Sequence, residues 1–167
     1  NTPNLTKKNK TILLGNEKVL KARLSDALFF WEADIKISFE QWLEGLENVT
    51  FFENLGNLKE RSQRISDLAI ILKKYFKYKN LSQVKNAGLF SKVDLLSNMV
   101  GEFPELQGVM GGYYSAYNGY NNEFKIALMD QYKPQRQEDD YPRNDLGCIL
   151  SLSNNLDTLT SFFSIGF

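Results

Sequence analysis

The sequence predicts an all-α protein, a single bundle of about six to seven helices. Three observations carry that reading. Apolar residues recur at three- and four-residue spacing along nearly the whole chain, no alternating stretch is long enough for a strand, and Gly, Pro and Asn punctuate the pattern where helices should start and stop. The 167 residues are 43% hydrophobic and 13% aromatic, enough for a real core and too rich for a disordered segment.

The elements follow in order. Residues 1–14 read as a polar N-terminal extension cut from a longer chain, and residues 15–167 as the helical domain. Asn16, after Gly15 and before Glu17, is a plausible cap for a first helix whose inward face is Leu20, Leu24, Leu28, Trp31 and Ile35. Residues 39–49 make a short second helix with Trp42, Leu43 and Leu46 together, and 50–57 read as a break. Leu58, Arg61, Ile65, Leu68, Leu72 and Tyr75 or Phe76 form the narrow seam of a third helix. Residues 81–100 read as one helix with Leu89, Val93, Leu96 and Val100 on one face, stopped by Gly101 and Pro104. The next helix opens at Pro104-Glu105 with Leu106, Val109, Met110, Tyr113 and Tyr117 inward. Gly108, Gly111 and Gly112 inside it point to close backbone packing or a kink. Phe124, Ala127, Leu128 and Tyr132 mark a helix ending before Pro134. A polar loop over 135–143 leads to a last helix capped by Asn144, with Leu146, Ile149, Leu150, Leu156, Leu159 and Phe163 inward.

Charge and residue type narrow the chemistry. Lys plus Arg and Asp plus Glu are 20 each, so no global basic surface advertises nucleic acid, although a local patch would suffice. The chain contains no histidine, which removes the commonest general base and metal ligand. Its single cysteine, Cys148, allows no internal disulfide and sits among apolar residues as a core position, consistent with a cytoplasmic origin. No stretch is long and apolar enough to span a membrane. There is no phosphate-cradling glycine loop of the Walker type. Lys73, Lys74, Lys77 and Lys79 crowd the end of the third helix, where they would compensate its dipole or face phosphate. Asp94 and Asp157 lie in apolar helical surroundings. They either pair with bases or point into one cavity as remnants of a metal site.

Three runs carry a family resemblance: Gly15-Asn16-Glu17-Lys18-Val19-Leu20-Lys21-Ala22-Arg23-Leu24-Ser25-Asp26-Ala27, then Phe29-Phe30 and Asp34; Gly101-Glu102-Phe103-Pro104-Glu105-Leu106-Gln107-Gly108-Val109-Met110-Gly111, then Tyr113-Tyr114; and Leu156-Asp157-Thr158-Leu159, then Phe162-Phe163 and Ile165-Gly166. Phe52, Leu55-Gly56, Arg64-Ile65 and Lys92 with Asp94-Leu95 fit the same pattern. Over about residues 11–167 the sequence resembles the β subunit of the bacterial heterotetrameric glycyl-tRNA synthetase.

The resemblance implies an internal β-subunit fragment that supports tRNA binding and assembly and carries no catalytic residue. It implies a domain like that of the His-Asp phosphohydrolases, in degenerate form. Asp94 stands at the Asp of the His-Asp pair, with Val93 before it in place of histidine. Asn154 stands where relatives have aspartate, and Gln131 where many have histidine. The implied site at Val93, Asp94 and Asn154 therefore holds no metal. The implied tRNA contacts are Arg61, Arg64, Lys73, Lys74 and Lys77. The partners are glycine tRNA, the α subunit and the rest of the β subunit in a two-α, two-β assembly, with no membrane or DNA partner. ATP and magnesium act at the α subunit, and the fragment itself needs no cofactor. The competing readings are a metal-dependent His-Asp phosphohydrolase and an unrelated protein-interaction bundle.

Overall fold

The computed structural model describes the backbone of residues 7–167 and the side chains of residues 10 and 12–167; the polar start at 1–6 lies outside the described residues. Eight α-helices are present among the described residues, joined by short 3-10 turns, with one isolated bridge between Thr50 and Asn57 and no strand. The all-α expectation holds. No described helix is long and apolar enough to cross a membrane.

Helix α1 spans Lys7–Asp34 and so begins before Asn16. Residues 7–14 contain neither Pro nor Gly, so nothing stops the helix, and Asn16 is an interior residue rather than a cap. The same helix runs through residues 11–14. The anticipated inward face is inward only near its end. Leu20, Leu24 and Leu28 are exposed (Leu24 by 62%), whereas Phe30, Trp31 and Ile35 pack on the core. Trp31 stacks on Tyr114 at 5.2 Å.

Helix α2 (Phe39–Gly45) starts in a capping box, with Ser38 accepting from the Gln41 amide while Gln41 reaches back to the Ser38 amide. A 3-10 turn (Leu46–Asn48) and a loop lead to α3 (Leu58–Leu72), which has a second capping box, Asn57 with Glu60. Each such cap contributes about 1 kcal/mol. Helix α3 packs on α4 (Leu81–Leu89) and α8 (Asp145–Ser164). Its contact with α4 depends on Gly88, where an added Cβ would collide with the Ser66 backbone.

The single helix anticipated over 81–100 is three pieces: α4, a 3-10 turn (Val93–Leu96) and α5 (Asn98–Glu102). Phe90 and Lys92 leave helical geometry with ψ near zero, and Ser97 is extended so that its Oγ caps the Val100 amide at 3.1 Å. Ser91 Oγ caps the Gly88 carbonyl at 2.8 Å. Serines that bond the nearby backbone compete with helix continuation.

A 3-10 turn (Pro104–Leu106) then precedes α6 (Val109–Tyr117), entered through Gly108 at φ 81°. This is the kink the glycines foretold, and it rotates the helix: Tyr114 is buried, while Tyr113 and Tyr117, expected inward, are exposed. Helix α7 (Asn122–Asp130) and the Asn144-capped α8 match expectation at their starts. Leu146, Ile149 and Leu150 are buried as anticipated, but Leu156, Leu159 and Phe163 are exposed. From Ser153 onward the buried face of α8 is polar: Ser153, Asn154 and Asp157 point inward instead.

Candidate functional site

That polar face meets α3. Asp157 is almost fully buried and accepts from Arg61 Nε at 3.2 Å and from Arg64 Nε at 2.7 Å. Arg61 Nη2 also donates to Thr158 Oγ1 at 2.8 Å and Asn154 Oδ1 at 3.3 Å. Its guanidinium lies 3.9 Å from the centre of the Phe51 ring. Arg61 and Arg64 sit three apart on one face of α3, and Asn154, Asp157 and Thr158 occupy one face of α8 at three- and four-residue spacing. Burial pushes the Arg61 guanidinium down from its ordinary value, opposed by the Asp157 charge.

A second part lies beside it. Lys92 is 1% exposed, and its ammonium donates to Gln131 Oε1 at 2.8 Å and Tyr132 Oη at 2.9 Å. Burial and then the Arg61 charge push the Lys92 amine well below its ordinary value, while Asp94 and Asp157 pull the other way. Burial raises the Tyr132 phenol, helped by the Asp94 charge. Asp94 Oδ2 accepts from the Gly108 amide at 2.6 Å and the Gly111 amide at 3.0 Å, tying the 3-10 turn to the start of α6. Gly111 allows this approach, since an added Cβ would lie 3.2 Å from that oxygen. Burial raises the Asp94 carboxyl, and the two amides and Lys92 oppose it.

The sequence thus brings Asp94 and Asp157 into one charged interior region, but with Lys92 and Arg61 among them. A divalent cation does not fit this donor set. Asp157 is committed to two guanidiniums, Asp94 Oδ2 to two amides, and Val93 and Asn154 add no charge; among the described carboxylate oxygens Asp94 Oδ1 is the one buried without a partner, beside the likewise unpartnered Arg64 Nη2 and Ser62 Oγ. No three His, Cys, Asp or Glu side chains gather as a ligand group among the described residues. The interior pairs Asp157 with two guanidiniums, holds Asp94 on backbone amides and places the Lys92 amine on Gln131 and Tyr132, where metal chemistry would need open ligands.

The anticipated surface residues divide. Arg61, with its side chain 13% exposed, turns inward and presents no free fork to a ligand. Arg64 is 38% exposed and borders a groove of about 430 Å³ with Asp67, Thr160, Ser161 and Ser164. Lys74, Lys77 and Lys79 are exposed, Lys73 is half-buried, and among the described residues none of the four pairs with a carboxylate. Sequence reasoning missed Lys92 as a buried hub; its signal was a lone lysine between Phe90 and Val93. It also missed Asp34, fully buried, which accepts from the Asn98 and Met99 amides and from Tyr114 Oη at 2.8 to 3.0 Å. Asp34 thereby caps α5 and holds it to the end of α1.

Comparison with known proteins gives the family. The family model for the glycyl-tRNA synthetase beta subunit matches residues 2–167. The glycine–tRNA ligase beta subunit of Buchnera aphidicola subsp. Schizaphis graminum is 45% identical over 161 residues, 96% of this chain and 23% of the relative. That of Lawsonia intracellularis is 45% identical over 152 residues, 91% and 22% of the two lengths. That of Persephonella marina is 42% identical over 160 residues, 96% and 23%. The chain spans about a quarter of the length of these relatives. An unrelated interaction bundle is thereby set aside: the chain belongs to the glycyl-tRNA synthetase beta subunit family.

Proposed function

We propose that this chain is a non-catalytic helical module of a glycine–tRNA ligase β subunit, acting in the cytoplasm with the α subunit and the rest of the β subunit to support ATP-dependent glycylation of tRNA. The family match over residues 2–167 is the observation that carries the reading. The chain's own role is to contact tRNA backbone through Lys73, Lys74 and Lys77, with Arg64 at the groove, while Arg61 keeps the bundle in register for its neighbours. Three features support that division: the unpaired lysines, the inward Arg61, and the absence of any histidine. ATP and magnesium act at the α subunit in a two-α, two-β assembly. The interior around Asp94 is the degenerate counterpart of a His-Asp phosphohydrolase centre. Its cation-filled donor set argues against the alternative of a phosphohydrolase.

The test is binding of the chain to glycine tRNA and to a non-cognate tRNA at 50 and 200 mM salt. Four phosphate contacts predict affinity falling by about 50- to 150-fold between the two, equally for both tRNAs. Failure to bind either tRNA at 50 mM salt would remove the tRNA-contact role and leave only the scaffold role.

A further inference from the structure

Between Asp67 and Asp94 the sequence carries no carboxylate and six lysines. One of these, Lys92, is the buried hub. Four others, Lys73, Lys74, Lys77 and Lys79, surround the turn at the end of α3. Among these lysines stands Tyr75, 72% exposed. It lies in the 3-10 turn Lys73–Tyr75, after which Phe76 becomes extended. Lys74 Nζ sits 4.9 Å from its ring centre, so one face carries a cation and the rest of the ring meets solvent.

The other tyrosines are otherwise employed. Tyr78, in the same run, bonds Gln83 and Glu123; Tyr114 bonds Asp34, Tyr120 bonds Asn86, and Tyr132 bonds Lys92. Tyr117 packs edge-on to Trp31, and Tyr113 lies under Lys125. Tyr141 is exposed but follows Glu138, Asp139 and Asp140, whose charge opposes a polyanion. Tyr75 alone combines an open aromatic face with a run of cations and no nearby carboxylate in sequence. The seam that offered Tyr75 or Phe76 closes with Phe76, which packs on the core, and so leaves the Tyr75 ring in solvent.

We propose that Tyr75 is a base-stacking platform, and that the 73–79 turn binds an unpaired nucleotide segment of RNA. The base stacks on the Tyr75 ring, and Lys73, Lys74, Lys77 and Lys79 neutralise the flanking phosphates. Every base offers a π-face, so the contact tolerates sequence and selects unpaired over duplex RNA, whose bases are already stacked. This rests on the tRNA-contact reading and sharpens it: the element touched is a loop or single-stranded end.

Fluorescence anisotropy of the full 167-residue chain tests this, with labelled octauridylate, a labelled twelve-base-pair RNA duplex and labelled glycine tRNA as probes. Tyr75→Ala should weaken octauridylate binding about tenfold, Tyr75→Phe should stay within about twofold, and duplex binding should be unchanged by either. The variants' melting temperatures should match the parent's, since the ring is exposed. If Tyr75→Ala binds octauridylate like the parent while Lys74→Ala/Lys77→Ala binds weakly, stacking is refuted and the phosphate contacts stand. If the parent binds none of the three probes, both proposals fall.

Discussion

Removing Arg61 from the interior network should cost far more than its charge alone would suggest on an open surface. In Arg61→Met the α3 helix keeps a straight-chain residue of similar length, so packing against Phe51 is largely retained. Lost are the donors to Asp157, Thr158 and Asn154. Breaking a buried pair by deleting one partner costs roughly 3–5 kcal/mol, because the other charge is stranded. Here Arg64 still holds Asp157 Oδ1 at 2.7 Å, which places the effect at the low end, about 3 kcal/mol. For a domain of this size that lowers the melting temperature by about 6–12 °C. Urea unfolding followed by circular dichroism gives the free energy, and an unchanged m-value confirms that only stability moved. Asp157→Leu should be comparably damaging, and Arg61→Met/Asp157→Leu should be clearly less damaging than the sum of the two. An Arg61→Met cost below about 0.5 kcal/mol, typical of a surface position, or strict additivity in the cycle, would refute the network.

Three further outcomes follow from other parts of the molecule. At Asp130 burial pushes the carboxyl up, but Arg143 and Lys133 overcome it and hold the group below its ordinary value, so its stabilisation is present above about pH 4 and lost as pH falls through the folded value. Arg143→Ala should lose about 1–2 kcal/mol at pH 7, discounted for the half-exposed arginine, and a smaller share at pH 3; an equal loss at both pH values would count against the pairing. Gly88→Ala should destabilise by about 1–3 kcal/mol through its clash with Ser66, whereas Gly15→Ala, with nothing within 4 Å, should be neutral or stabilise the exposed helix by up to about 1 kcal/mol; thermal melts separate the two, and a silent Gly88→Ala would show that α3 and α4 can part without penalty. Leu24→Glu should leave the unfolding free energy within about 0.5 kcal/mol, since its side chain meets solvent; a large loss would place the Leu20–Leu24–Leu28 face of α1 against the bundle.

Periodicity was informative where burial is apolar on one side. It found α2, α3, α7 and the start of α8 with its Asn144 cap, because local backbone bonding and a hydrophobic stripe agree there, whereas the Ser38, Asn57 and Asn121 caps emerge only from the fold. It failed where tertiary demands decide. Leu20, Leu24 and Leu28 have helical spacing, but spacing records only that residues share a face and not that a neighbour covers it. The long helix expected over 81–100 breaks because Lys92 must enter the interior and Asp94 must reach the Gly108 and Gly111 amides, partners fourteen and seventeen residues away that no local pattern encodes. Tyr113 and Tyr117, inward by spacing, face solvent because Gly108 at φ 81° resets the helix after the turn. In the site, the residues lacking for metal chemistry were visible in the composition. The cations in their place were only half visible: Arg61 stood on the seam of α3 with nothing local to name its partners on α8, and nothing local marked Lys92 as buried until Gln131 and Tyr132 fold over it.

In the proposed function, an inward arginine holds the bundle while outward lysines meet tRNA. That division is tested most directly by measuring glycine-tRNA affinity and melting temperature together in the Lys73→Ala/Lys74→Ala/Lys77→Ala variant. Affinity at 50 mM salt should fall by more than about tenfold, the salt dependence should become shallower by about two to three powers, and the melting temperature should stay within about 2 °C. Undiminished tRNA binding in a variant that melts normally would contradict the division.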